Sequence, residues 1–419
     1  MTPNENSKPY LKRQIENVLT EALEDTPVVC ILGPRQCGKS TLALHHAPER
    51  PYVSLDDRNI FNLANADPQG FIGELPEYVT IDEVQRVPEL TIAIKRSVDA
   101  NRKPGRFLLT GSANLLHLPR LADSLAGRME WIELNTFSEA EKQGSHGRFL
   151  EQWLEGKLDT TLPSSAPPKA SELPGRIVAG GYPEAFQRKP NRARQWQKQY
   201  IKSIIERDIH DISQIKDGID IARLIEYAAH QTAQLLNITE IAKSLGHTRA
   251  TVEKYLSILE KLYLLRRLPA WHRNCGKRLV KAPKLHICDS GLAAALTGTT
   301  EGMWMQNRSY FGHLLESFIL QQLSIQASWA KSAIRLWHYR DKDKVEVDCV
   351  LTQNNKTWGV EVKAATNIQT ADGNGLRRLA QQVGRDFKGG IILYDGTTTL
   401  PIDKKLNLYA VPISKLWEL

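Results

Sequence analysis

The chain has 419 residues, 41% hydrophobic and 24% charged, which is the composition of ordinary globular domains and excludes global disorder; at roughly 150 residues per domain the length asks for about three. No apolar run reaches the length of a membrane span, and residues 1–10 are polar, so the expectation is an unprocessed cytoplasmic protein with no membrane contact. The net charge of +8 is concentrated: Lys261, Arg266, Arg267, Arg273, Lys277, Arg278, Lys281 and Lys284 follow one another with no acidic residue between them. That pattern is expected of a phosphate-backbone binder, although a solvated face would read the same way. Cys30, Cys37, Cys275, Cys288 and Cys349 are scattered, form no Cys-x-x-Cys pair, and read as reduced thiols.

From the start, residues 11–23 have helical spacing, and Pro27 opens the apolar run 28–32, a buried strand. Directly after it, Gly33, Pro34, Arg35, Gln36, Cys37, Gly38, Lys39 and Ser40 fit G-x-x-x-x-G-K-[ST] and lead into a helix through Thr41. In that context the loop amides and helix N-terminus cradle phosphates, Lys39 meets the β and γ oxygens of ATP, and Ser40 ligates magnesium. Strands are expected at 52–55, 78–81, 107–110 and 129–134, with helices between them, the rhythm of a parallel α/β sheet.

The second of these strands ends in Asp82-Glu83: Asp82 is the expected magnesium partner and Glu83 the base that polarises water, against the simpler reading of an acidic cap. The next ends in Thr110-Gly111-Ser112-Ala113-Asn114, and Ser112 is the polar-sensor candidate, with Thr110 and Asn114 close behind. Arg128 is the candidate for the cation that neutralises the transition state, supplied in trans within a homo-oligomer; a plain surface arginine reads equally well. ATP binding and hydrolysis with magnesium is the chemistry these residues fit.

Residues 137–211 are mainly helical around a Pro/Ser-rich stretch, 160–174, expected as an exposed loop. Ile238, Ile241, Ala242 and Leu245 mark one helix face, Gly246 breaks it, and Val252, Leu256 and Leu259 mark a second helix: a helix-turn-helix with Arg249 and Lys254 outward. With Arg266, Arg267, Arg273, Lys277 and Arg278 these are the DNA-contact candidates, and a purely protein-binding helix-turn-helix is the alternative. Further on, Glu346 and Asp348, then Glu361 and Lys363, are spaced two apart on strand patterns, with Glu316 on a helical one. Asp348, Glu361 and Glu316 are candidate ligands for magnesium or manganese and Lys363 a catalytic partner for phosphodiester cleavage; exposed strand charges would give the same spacing.

Together these residues make the sequence resemble the prokaryotic AAA-type P-loop ATPases with a DUF4143 C-terminal region. The resemblance is carried by the P-loop, Leu108 to Ser112, Ser124 to Arg128, Gly180-Gly181-Tyr182-Pro183-Glu184, Glu206-Arg207-Asp208-Ile209, Asp289-Ser290-Gly291-Leu292, and the C-terminal carboxylates. It implies an α/β fold in four parts: an ATPase core at 1–135, a helical lid at 136–215, a winged helix-turn-helix domain at 216–284, and a PD-(D/E)xK nuclease-like domain at 285–419. Within the last it implies a helix near Glu316, strands around Leu336, Val347, Val360 and Ile392, and a helix around Leu379; Val347 stands where that motif has proline. The function expected is an ATPase acting on DNA, branched DNA included, or else a nucleotide-gated, defence-type switch working through protein contacts with a silent C-terminal site.

Overall fold

A computed structural model describes residues 10–112, 125–158, 172–213, 218–274, 281–306 and 308–418. Three sheets organise it. The first contains β1 (Val28–Leu32), β2 (Tyr52–Ser54), β3 (Val79–Asp82), β4 (Phe107–Gly111) and β5 (Met129–Glu133) in the order β2-β3-β4-β1-β5, all parallel. All five residues of β1 and of β4 are buried, because helices cover both faces of a parallel sheet and its central strands need continuous apolar sequence. The helix expected from residue 11 starts only at Glu16 (Glu16–Asp25). Ahead of it the chain turns so that Arg13 enters the protein, 3% exposed.

Residues 113–124, which include Ala113, Asn114 and Ser124, and 159–171, most of the expected loop, lie outside the described residues. The end of that stretch differs from expectation: Glu172–Ala179 is helical and buries Leu173 and Pro174. Pro174 falls in the first helical turn, where a missing N–H forfeits no intrahelical bond.

The long helix Pro190–Ser213 leads into a unit made of helix Gly218–His230, β6 (Gln234–Leu235), helix Ile238–Leu245, helix Arg249–Lys261, β7 (Leu265–Leu268) and β8 (Lys284–Ile287), with strand order β6-β8-β7. The expected helix-turn-helix is present: Gly246 caps the first helix in the left-handed region, and the Thr248 hydroxyl accepts from the Thr251 N–H to start the second.

The last sheet has β9 (Arg335–Arg340), β10 (Glu346–Gln353), β11 (Lys356–Lys363), β12 (Phe387–Tyr394), β13 (Leu400–Asp403) and β14 (Leu408–Pro412), ordered β13-β14-β12-β11-β10-β9. It is flanked by helices Arg308–Ser328 and Asn374–Val383, so each element the resemblance implied there is found. The hairpin between β7 and β8 is joined to this sheet at its base. Ala270 bridges His338, the Trp271 N–H donates to the His338 carbonyl at 2.6 Å, and the His338 N–H donates to the Pro269 carbonyl at 2.9 Å.

Candidate nucleotide site and carboxylate cluster

Strand β1 delivers the chain into a loop that only glycine completes at two points. A Cβ on Gly33 would lie 2.1 Å from the Leu134 carbonyl oxygen, and Gly38 takes φ 103° as N-cap of helix Lys39–His46. Gln36 is also left-handed, at φ 59°, so the loop curls its amides toward the helix N-terminus, the arrangement that binds phosphates. Lys39 is buried, and its ammonium donates to the Gly33 and Pro34 carbonyls at 3.1 and 2.8 Å. Arg13 braces the loop from behind, donating to the Cys37 carbonyl (3.1 Å), the Asn135 carbonyl (2.8 Å) and Glu141 (2.9 Å). Cys37 points inward, its thiol 3.3 Å from the Leu134 carbonyl and pushed up in pKa by burial.

The ends of β3 and β4 meet beside this loop. The Ser40 hydroxyl donates to Asp82 Oδ1 at 2.9 Å, and the Thr110 hydroxyl donates to the same oxygen. Burial, then a hydrogen bond to Asp82, raises the Tyr52 hydroxyl above its ordinary pKa. Glu83 sits at φ 58°, ψ 44°, a sparsely populated conformation for a residue with a side chain. Its N–H donates to Thr110 Oγ1 at 3.2 Å, and its Oε2 accepts from Ser112 (3.0 Å) and from Gln85. Gln85 also donates to Ser112 Oγ at 2.8 Å. A hydroxyl beside a buried carboxylate at the P-loop, with a second carboxylate oriented by Ser112 and Gln85, is a donor set that fits nucleotide phosphates with a divalent ion. Gln85 was not singled out from sequence; its place two residues after Glu83 was the available signal.

Arg128 is not part of this constellation. It precedes β5, whose first residue pairs with Val28, whereas the P-loop follows Leu32; four residues of strand separate them, about 13 Å. Its guanidinium pairs with Asp99 at 2.5 Å.

Two of the motifs that carried the resemblance meet at one buried acid. Asp289 caps helix Ser290–Thr297 through the Gly291 and Leu292 N–H groups and also accepts from the Gly181 N–H (2.7 Å), Thr136 (3.3 Å) and Gln321 (3.1 Å). From the same region the Tyr200 hydroxyl donates to the Arg35 carbonyl of the P-loop at 3.1 Å and lies 3.0 Å from the Tyr182 hydroxyl. The P-loop, the helical region and the helix bearing Glu316 are thereby tied by hydrogen bonds.

At the C-terminal cluster the structure places a lysine among the expected metal ligands. The cation among the carboxylates is Lys284, from β8: its Nζ lies 2.8 Å from Glu316, 3.3 Å from Asp348 and 3.6 Å from Glu346, and its side chain is 4% exposed. Burial opposes that charge, and Glu316 with Asp348 outweighs it, holding the ammonium above its usual pKa. Asp348 also accepts from the Val362 N–H at 2.9 Å, and Lys363 donates to Glu361 at 2.9 Å. Burial, then Asp348, pushes Glu361 up to about 8, and the same two causes raise Glu316 well above the carboxylate range. Among the described residues no group of three or more His, Cys, Asp or Glu is arranged to hold a metal ion. An ammonium on a buried stem offsets part of the charge of the carboxylates around it.

Part of the basic segment is engaged within the protein. Arg267 is locked between Glu253 and Glu260, Arg266 lies 3.6 Å from Glu133, Lys281 donates to the Arg340 carbonyl, and Lys284 is spent as above. Acids outside the stretch thus meet three of its eight cations, from the preceding helix for Arg267 and from more distant segments for Arg266 and Lys284. Arg249, Lys254 and Arg273 are exposed, while Lys277 and Arg278 lie outside the described residues.

Parallel sheet, P-loop and acidic pair define a P-loop ATPase of AAA type. Residues 25–142 match the AAA domain, and 170–302 and 311–416 match two domains of unknown function, DUF8612 and DUF4143. The chain belongs to the family of AAA-domain ATPases that carry the DUF4143 region. Uncharacterized proteins of Mycobacterium tuberculosis and Mycobacterium bovis are each 30% identical to it over 347 residues, 82% of this chain and 72% of theirs. Among solved structures it is similar to the Walker-type ATPase of Pyrococcus abyssi (18% identity, TM-score 0.43, 68% of this chain and 96% of that one). It is also similar to a RuvB variant of Thermotoga maritima (16%, 0.29, 61% and 89%). No helix among the described residues is long and apolar enough to cross a membrane.

Proposed function

We propose that this protein hydrolyses ATP and couples the hydrolysis to DNA held by its helix-turn-helix unit, which we read as a winged helix, with a nuclease-like C-terminal domain serving as a grip. The observation that carries the hydrolytic part is the Glu83 carboxylate, 3.0 Å from the Ser112 hydroxyl and one residue from Asp82, which Ser40 meets at 2.9 Å. Magnesium ATP, when bound, supplies the electrophilic phosphorus and a charge-neutralising cation. The amides of 36–40 then orient the phosphates and Lys39 meets their β and γ oxygens. Glu83 accepts the proton of the attacking water, held in line by Ser112 and Gln85. Arg128, at the far end of its own sheet, acts on the P-loop of a second copy in a homo-oligomer.

The exposed Arg249 and Lys254 on the second helix of the helix-turn-helix support the DNA part. The second reading, a nucleotide-gated switch that works through protein contacts, draws on the neutralised Arg267 and Lys284 and on the docked hairpin. ATP turnover with and without single-stranded, duplex and branched DNA tests the choice. Stimulation by one of these is expected; indifference to all three selects the switch. Lys39→Ala should lose ATP binding and Glu83→Gln should bind ATP yet turn it over slowly; parent-like turnover in both would reject the site.

A further inference from the structure

Three of the eight cations of the basic stretch are met by acids, and uncompensated positive charge gathers instead at one cleft beside it. Between the base of the β7–β8 hairpin and the hairpin end of β10 and β11 lies a cavity of about 640 Å³ lined by Arg273, Arg335, Lys356 and Arg385, with Trp337 and Thr352 on its wall. Arg335 pairs with Thr352 across β9 and β10, and Gln353 pairs with Lys356 at the hairpin turn. Asn354 and Asn355 make that turn with φ of 49° and 64°, the two positive angles a tight right-twisted hairpin needs. Arg273, Arg335 and Lys356 are exposed and have no ion-pair partner among the described residues, and Arg385 reaches only Asp386, at 3.9 Å. The cleft therefore holds four cations against one carboxylate.

Trp337 decides the kind of anion. It is half-buried, packs against the core that contains Trp271 and Tyr339, and lines the cleft, and its indole N–H donates to Thr352 at 2.9 Å, which fixes the ring in the cleft wall. Cations that track a backbone beside an immobilised aromatic ring are the combination that holds unpaired nucleotides, because phosphates meet the charges while a base stacks on the ring. A base in a duplex is already stacked and offers no free face. The cleft lies at the opposite end of β10 and β11 from Asp348 and Glu361, so it is separate from the Lys284 cluster.

We infer that this cleft binds a single-stranded segment of nucleic acid, with phosphates on Arg273, Arg335, Lys356 and Arg385 and a base on Trp337. The inference rests on the DNA reading proposed above and adds a site to it. The test measures binding of a fluorescein-labelled oligothymidine, across a range of salt concentrations, to the full-length parent and to four variants. Arg335→Glu combined with Lys356→Glu should weaken binding about tenfold and lower the salt slope by about 1.4, two contacts at roughly 0.7 each for a single strand. Trp337→Leu should weaken it about tenfold, with Trp337→Phe retaining most of the affinity. Arg249→Glu combined with Lys254→Glu should leave single-strand affinity within about twofold while weakening duplex binding about tenfold. Unchanged thermal unfolding and ATP affinity control for folding, and ultraviolet crosslinking of the parent to a bromodeoxyuridine oligonucleotide gives a readout free of mutation, with the adduct expected on Trp337. If the cleft variants bind as the parent does while the helix variant loses both ligands, the cleft is overturned and the DNA reading stands. If the parent binds no nucleic acid, both fall.

Discussion

Replacing Lys284 by methionine keeps the apolar stem and deletes the charge that Glu316, Asp348 and Glu346 share at 2.8, 3.3 and 3.6 Å. Breaking a buried ion pair by removing one partner costs about 3–5 kcal/mol, because the other charge is left without compensation. At about 2–4 °C per kcal/mol for a unit of this size, the transition reporting on the C-terminal domain should fall by roughly 6–20 °C. The loss must depend on pH in a definite direction. Burial and Asp348 push Glu361 up to about 8 in the folded protein against an ordinary 4.5, and raise Glu316 well above its ordinary value. Between those values the folded state binds more protons than the unfolded one, so stability is present at low pH and falls as pH rises from about 4.5 to about 8. Lys284 lowers both acids, so the part of the Lys284→Met deficit that comes from Glu361 begins near pH 8 and grows above it. Adding Glu316→Gln should restore much of the loss. Scanning calorimetry of both proteins at one pH below 8 and one above it measures all of this. A variant as stable as the parent at the higher pH refutes the assignment of Lys284 as the resident cation.

Three further outcomes follow from the same contacts. Asp289→Ala strands the Gly181 N–H, the Gly291 and Leu292 N–H groups and the Gln321 amide in a buried site, and urea unfolding should show a loss above about 3 kcal/mol, since each orphaned group costs about 1–3; a loss under about 1 kcal/mol would contradict the hub. Gly33→Ala drives a methyl into the Leu134 carbonyl at 2.1 Å, so calorimetric titration should find ATP binding weakened at least tenfold with the rest of the fold retained, and parent-like affinity would mean the loop has room. Arg267→Gln should leave DNA affinity within about twofold, because its charge is already matched by Glu253 and Glu260; a large drop in a filter-binding assay would return that residue to the DNA interface.

How much of this was readable beforehand depends on how local each feature is. The P-loop lies within eight consecutive residues between a strand and a helix, and the helix-turn-helix is announced by its apolar spacing and by Gly246. Asp82, Glu83, Thr110 and Ser112 were also legible, because parallel strands carry the residues that follow them to one edge of the sheet. The sequence could not say that Arg128 lies at the opposite edge, since a strand's polarity fixes its ends only once its neighbours are known. Nor could charge counting see that Arg267 and Lys284 are neutralised: Glu316 and Asp348 are 32 and 64 residues from Lys284, and their approach exists only after β8, β10 and the helix Arg308–Ser328 have packed. Sequence alone determined the chemistry carried by a local motif and by the ends of parallel strands, the phosphate loop and its acidic partner. Tertiary structure alone decided which charges remain for a ligand, because electrostatic energy depends on distance through space and on burial, and neither is a property of sequence order.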